Sequence, residues 1–158
     1  MTALITAFDR QFLALHDRTL RLTESLPAEL LYRRSAVDGD LMMKLTVGEN
    51  VIRSAAFIEL TFGGITTRLW DDPFEWTLIE ALNDGAKIVA YLGEVENTRL
   101  RAFGSFTSDA DLTKNIPAPR ELRPLGEILL DTIARAEHYQ GRAFAIYQTL
   151  TSAKLKPR

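Results

Sequence analysis

Five side chains near the C-terminal end carry most of the chemistry that this sequence offers. Within LGEILLDTIARAEHYQGR, residues 125–142, Asp131, Arg135, His138, Tyr139 and Arg142 recur at steps of three and four. On an α-helix such steps align side chains into one polar stripe. A sixth residue, Arg53, is the only charge between Glu49 and Glu59, inside the apolar run VIRSAAFI. A guanidinium buried without a partner is very costly, so Arg53 must pair or reach solvent. It either snorkels to the surface or points into the protein toward the C-terminal stripe.

Two uses of these residues are open. In the first, Asp131 neutralises Arg135 four residues on and meets Arg53 across the helices, giving a structural network of paired charge. In the second, Arg53, Arg135 and Arg142 grip a carboxylate or phosphate through forked hydrogen bonds, with Tyr139 adding a donor. His138 is turned by about 100° from Tyr139 on the helix and reads as a partly exposed, supporting residue. His16 beside Asp17 reads as solvated or capping. Two histidines so placed do not make a ligand set. There are no cysteines, which removes disulfides, thiolate metal sites and a thiol nucleophile. Asp109 and Asp111 lack the rest of a calcium loop, and there is no P-loop, dinucleotide fingerprint, HExxH or Gly-x-Ser-x-Gly.

The elements that must position these groups read as helices. Leu4, Phe8, Phe12, Leu15 and Leu22 form the apolar stripe of a first helix, ending before Pro27. Asp38-Gly39 signals a turn. Thr46-Val47-Gly48-Glu49 fits a capping box that opens a second helix. Its run from Val51 to Phe62 is apolar on nearly every face, and Gly63-Gly64 is its expected stop. Trp70-Asp71-Asp72-Pro73 reads as the start of a third helix reaching about Phe103, with Gly85 and Gly93 as sites of close helix contact. Phe74 and Trp76 read as core or as a docking edge, and Arg99 with Arg101 as a solvated pair. Residues 104–123 read as a long connection too polar for a core element. Pro124 opens the fourth helix, which ends near Leu150, and the basic tail 154–158 frays. Glu49 and Glu127 open two helices alike, and four residues beyond each stand Arg53 and Asp131.

Four such patterns without a convincing alternating strand imply one all-α domain over residues 1–158. Apolar residues at 46%, charged residues at 25% and a net charge of −2 give no support for nucleic acid or an anionic membrane as partner. The N-terminus lacks a basic region, and the longest apolar runs fall far short of the roughly 20 residues that span a bilayer. A soluble cytoplasmic protein is the expectation.

The order and spacing of these motifs resemble the DinB/YfiT-like four-helix-bundle superfamily. There the last helix carries a run of the form His-x-x-His-His-Arg-Gly-Gln that supplies two metal ligands. The matching residues are Arg135, His138, Tyr139, Gln140, Gly141 and Arg142, and the helix start at Thr46–Glu49 puts Arg53 where the first histidine ligand usually stands. The resemblance implies a four-helix bundle with a long crossover between the second and third helices, often a homodimer, in a group that includes metal-dependent thiol transferases and hydrolases. It also places the ligand positions at Arg53, Arg135 and Tyr139. Imidazole binds divalent metals and guanidinium does not. The expectation is therefore a binding or structural protein without the metal site or any other cofactor, with an arginine-rich central pocket supported by Glu49, Asp131, His138 and Arg142. The alternative is a metal-dependent transferase or hydrolase holding zinc, nickel or manganese through His138, Asp131 and Glu49. A small-anion binder is the third reading.

Overall fold

The computed structural model describes residues 2–34, 45–67, 69–73 and 76–151. The chain is all-α, with helices α1 (Ala3–Ser25), α2 (Val47–Thr67), α3 (Gly85–Ser105) and α4 (Leu125–Thr151). Between α3 and α4 lie a short 3₁₀ turn, Asp109–Thr113, and a small hairpin of β1 (Asn115–Pro117) and β2 (Leu122–Pro124). The strands pair antiparallel, with Ile116 opposite Arg123. The turn at Asp38-Gly39, Phe74 and the basic tail lie outside the described residues.

Contacts at the helix ends fix the directions. Gly48 N–H donates to the Leu31 carbonyl at 2.8 Å, and the Tyr32 hydroxyl donates to the Leu82 carbonyl. The end of α1 and the starts of α2 and α3 therefore share one end of the bundle. At the other end, Asp109, just past α3, accepts from Ile5 N–H at 3.0 Å. Leu125 N–H donates to Lys114 O, and Trp70 Nε1 to Pro117 O, each at 2.9 Å. So α1 and α4 run one way and α2 and α3 the other. The connection from α2 to α3 travels the length of the bundle, as the long crossover required. α2 packs on α4 and α3, and α1 on α3 and α4, which leaves α1 and α2 at opposite corners.

Local chemistry sets the helix ends. Thr46 and Glu49 form the expected capping box: Glu49 N–H donates to Thr46 Oγ1 at 3.2 Å, and Thr46 N–H donates to Glu49 Oε2 at 2.7 Å. Thr2 precedes α1 without capping it through its own side chain. The carboxylate of Asp109 takes that place, accepting from Ile5 N–H and the Thr2 hydroxyl. The Thr2 hydrogen bond is the main reason the Asp109 carboxyl sits below its ordinary pKa. Burial, then the Glu49 and Asp84 carboxylates, push the Tyr32 phenol up to about 12.

Two boundaries differ from the sequence reading. α2 continues through Gly63-Gly64 to Thr67, because Gly64 serves packing: Trp70 lies so close that a Cβ there would overlap its ring. α3 starts at Gly85, well after Pro73, because Asp84 is the cap, accepting from Lys87 N–H at 2.8 Å. Leu78 and Ala81, within the span read as the third helix, are exposed on the crossover. Gly85 and Gly93 have no neighbouring heavy atom within 4 Å of a Cβ position, so neither serves close helix contact.

Phe12, Phe62 and Phe103 meet in the core at centroid distances of 4.9 to 5.9 Å. Several polar groups inside the bundle are satisfied across helices. Ser54 Oγ donates to Ala136 O at 2.9 Å, Thr61 and Thr132 share a hydroxyl bond at 2.7 Å, and Gln140 Nε2 donates to Leu15 O at 2.8 Å. Small residues at these crossings let α2 and α4 approach closely. Among the described residues, no helix is long and apolar enough to cross a membrane.

Candidate functional site

The close crossing of α2 and α4 decides where the arginines go. Ser54, the residue after Arg53, takes the buried position facing α4 and bonds the backbone of Ala136. Arg53 follows the chain outward and is exposed, and so is Arg135. The inward-pointing alternative for Arg53 is thereby corrected, and the arginine-rich cluster occupies an outer face of the bundle where a central pocket was expected. An exposed guanidinium keeps its hydration, so the surface position is the low-energy solution.

On that face the residues form a ladder. Phe57 of α2, four residues after Arg53, stacks on Tyr139 of α4 with ring centroids 5.6 Å apart and planes 18° from parallel. Arg135 Cζ lies over Phe57, 5.5 Å from the ring centre. Arg53 and Arg142 each lie over Tyr139 at 5.9 Å, and Arg142 has other contacts as well. The exposed His138 meets Tyr139 edge-on at 5.3 Å. Each such cation–π contact contributes roughly 0.5–1 kcal/mol at an exposed site, through attraction to the ring's negative face. The aromatic pair thus holds the guanidinium groups in place without neutralising them.

The acidic residues expected to neutralise them are committed elsewhere. Asp131 accepts from Arg123 at 2.6 Å, and the same guanidinium donates to Glu127 at 2.7 Å. Arg123 stands at the end of the hairpin, one and two helical turns before its partners. Its fork meets both carboxylates, an arrangement stronger than a single lateral pair from Asp131 to Arg135. Asp131, then Glu127, raise the Arg123 pKa and keep it charged. Glu49 is held in its capping box. The expected network of Asp131 with Arg135 and Arg53 is therefore corrected. Among the described residues, neither arginine has a carboxylate partner.

Phe57 and Leu60 form a crest between two grooves. The first, about 480 Å³, lies between α2 and the crossover, with Glu49, Arg53, Asp72 and Glu80 among its lining residues. The second, about 450 Å³, lies between the α2–α4 seam and the hairpin, and is lined by Phe57, Trp70, Arg120, Arg123, Asp131 and Arg135 among others. Phe57, Trp70, Arg120 and Arg123 were not singled out as site residues from the sequence. Phe57 carried a usable signal, because it lies one helical turn from Arg53 and therefore on the same face.

These donors do not suit a divalent metal at the positions that the resemblance assigns to ligands. Guanidinium offers no lone pair, and the phenol of Tyr139 lies beneath two cations. Among the described residues, no three His, Asp or Glu side chains gather as a metal-holding group.

A second arginine differs from the sequence reading in the opposite sense. Arg99, expected to be solvated, is 2% exposed. It bonds Glu96 twice, at 2.6 and 2.8 Å, and also bonds Asp9 of α1. Burial opposes its charge, but Glu96 and Asp9 outweigh that and raise its pKa. The half-buried His16 lies nearby on α1.

Compared with known proteins, the chain matches no family model, no curated protein and no solved structure.

Proposed function

We propose that this protein binds a small anionic ligand on the arginine–aromatic face of α2 and α4, as a metal-free relative of the DinB/YfiT-like bundles. One observation carries the reading: Arg53 and Arg135 are held over an aromatic pair while the nearest acidic residue of the stripe, Asp131, bonds Arg123 instead. Unpaired, oriented guanidinium groups beside a groove are suited to forked recognition of carboxylate or phosphate. The reading includes a cytoplasmic homodimer. The exposed Trp76, Leu78 and Ile79 on the crossover supply apolar surface for a second copy.

A thermal-shift panel of carboxylates and phosphates tests the binding, since a ligand selective for the folded state raises the melting temperature with occupancy. At least one anion is expected to stabilise the wild type and to lose that effect in the Arg53→Gln/Arg135→Gln double variant. A flat response across the panel contradicts the reading. Stoichiometric zinc, nickel or manganese in purified protein would favour the metal-dependent enzyme instead. Light scattering that finds a monomer at tens of micromolar removes the homodimer.

A further inference from the structure

We infer that the groove on the hairpin side of the crest takes a flat aromatic monocarboxylate. This rests on the anion-binding reading and names both the side of the crest and the ligand class.

Charge selects the side. Among the described lining residues, groove one carries Glu49 and Glu80 against Arg53, a balance that does not favour an anion. Groove two carries Arg120, Arg123 and Arg135 against Glu121 and Asp131. Asp131 in the lining neutralises Arg123, which leaves Arg120 and Arg135 to attract the ligand and Glu121 as the opposing carboxylate. One negative charge is therefore better matched than the two of a phosphate monoester.

Shape and polarity select the body. Trp70 and Phe57 contribute aromatic walls, and both are anchored. The Trp70 indole N–H is committed to Pro117 O at 2.9 Å, and its ring rests on Gly64. Phe57 is held by its stack on Tyr139 and by the Arg135 guanidinium lying against its ring. The Thr61 and Thr132 hydroxyls in the lining satisfy each other at 2.7 Å, and Leu60 and Ile128 complete an apolar surface beside them. The groove thus asks for few polar groups on the body of its ligand. Its volume of about 450 Å³ lies within the usual range for small-molecule sites, roughly 300–1,000 Å³. A guanidinium lying over a ring still presents N–H donors at its edge, and Arg135 would hold the carboxylate there.

The test uses the indole N–H resonances of the full chain. The protein has two tryptophans, so the Trp76→Phe variant assigns the Trp70 signal. 1-Naphthoate, cyclohexanecarboxylate and inorganic phosphate are titrated in turn. Naphthoate is expected to shift the Trp70 signal saturably. Its affinity is expected to fall at least tenfold in Arg135→Gln and to stay within threefold in Arg101→Gln, on the exposed face of α3 away from both grooves, with cyclohexanecarboxylate at least fivefold weaker. Both substituted arginines are exposed, so the fold is retained and circular dichroism verifies it. Naphthoate binding that leaves Trp70 unmoved, or that ignores Arg135→Gln, overturns the location. Phosphate or cyclohexanecarboxylate binding as tightly as naphthoate overturns the ligand class while sparing the anion reading. If none of the three binds and the wider anion panel is flat as well, both fail.

Discussion

Arg99 and Arg135 are the same side chain under opposite constraints. Arg99 sits between α1 and α3, almost wholly buried, with carboxylates from both helices on its nitrogens. Arg135 stands on the outer face of α4, over the Phe57 ring and with no carboxylate partner among the described residues. A buried cation is tolerated only when paired, so its partners become part of the fold. An exposed cation has no such requirement, and an aromatic ring can orient it while leaving its charge for something else. The contrast separates an arginine that holds the structure together from one available to a ligand.

The largest expected effect breaks the first half of this contrast. Arg99→Met leaves Asp9 and Glu96 without their cation between two helices. It is expected to cost about 3 kcal/mol in denaturant unfolding, in the range for removing one partner of a buried pair. Next is Thr46→Ala, which removes the cap of α2 and is expected to cost about 1 kcal/mol by the same measurement. The exposed half predicts almost nothing for stability: Arg53→Gln and Arg135→Gln are each expected to stay within about 0.5 kcal/mol of wild type.

Acid sharpens the comparison with a third pairing mode. Lys114 first, then the backbone N–H groups of Ser108 and Thr107, hold the Asp111 carboxyl well below the usual carboxylate range. A carboxyl whose pKa is lowered by folding stabilises the native state fully above its unfolded value, about pH 4, and loses that contribution as pH falls through the folded value. Melting temperatures measured from pH 6 downward are expected to decline below about pH 4, with a smaller decline in Asp111→Asn. An identical decline in both proteins would remove Asp111 from the acid response.

The fold was largely legible in the sequence because periodicity and caps act locally. The apolar stripe of α1, the Thr46–Glu49 box and the Pro124 start of α4 each depend on residues within a turn or two. The misplaced start of α3 shows the limit. Asp71-Asp72-Pro73 and Asp84 are both valid helix starts, and only tertiary packing of the crossover chooses between them. The site was half legible. The stripe of Arg135, Tyr139 and Arg142 follows from helical spacing, but the direction of Arg53 depends on how closely Ser54 approaches Ala136. Arg99 was misread because Asp9, its partner on α1, is 90 residues away in sequence.

A paired measurement on Arg99→Gln and Arg135→Gln tests the division most directly: the melting temperature of each, and its affinity for 1-naphthoate. Arg99→Gln is expected to melt about 6–12 °C below wild type and to bind as wild type does below its own transition. Arg135→Gln is expected to melt within about 2 °C of wild type and to lose at least tenfold in affinity. If Arg135→Gln melts as early as Arg99→Gln, or keeps its affinity, the exposed arginine is not reserved for a ligand.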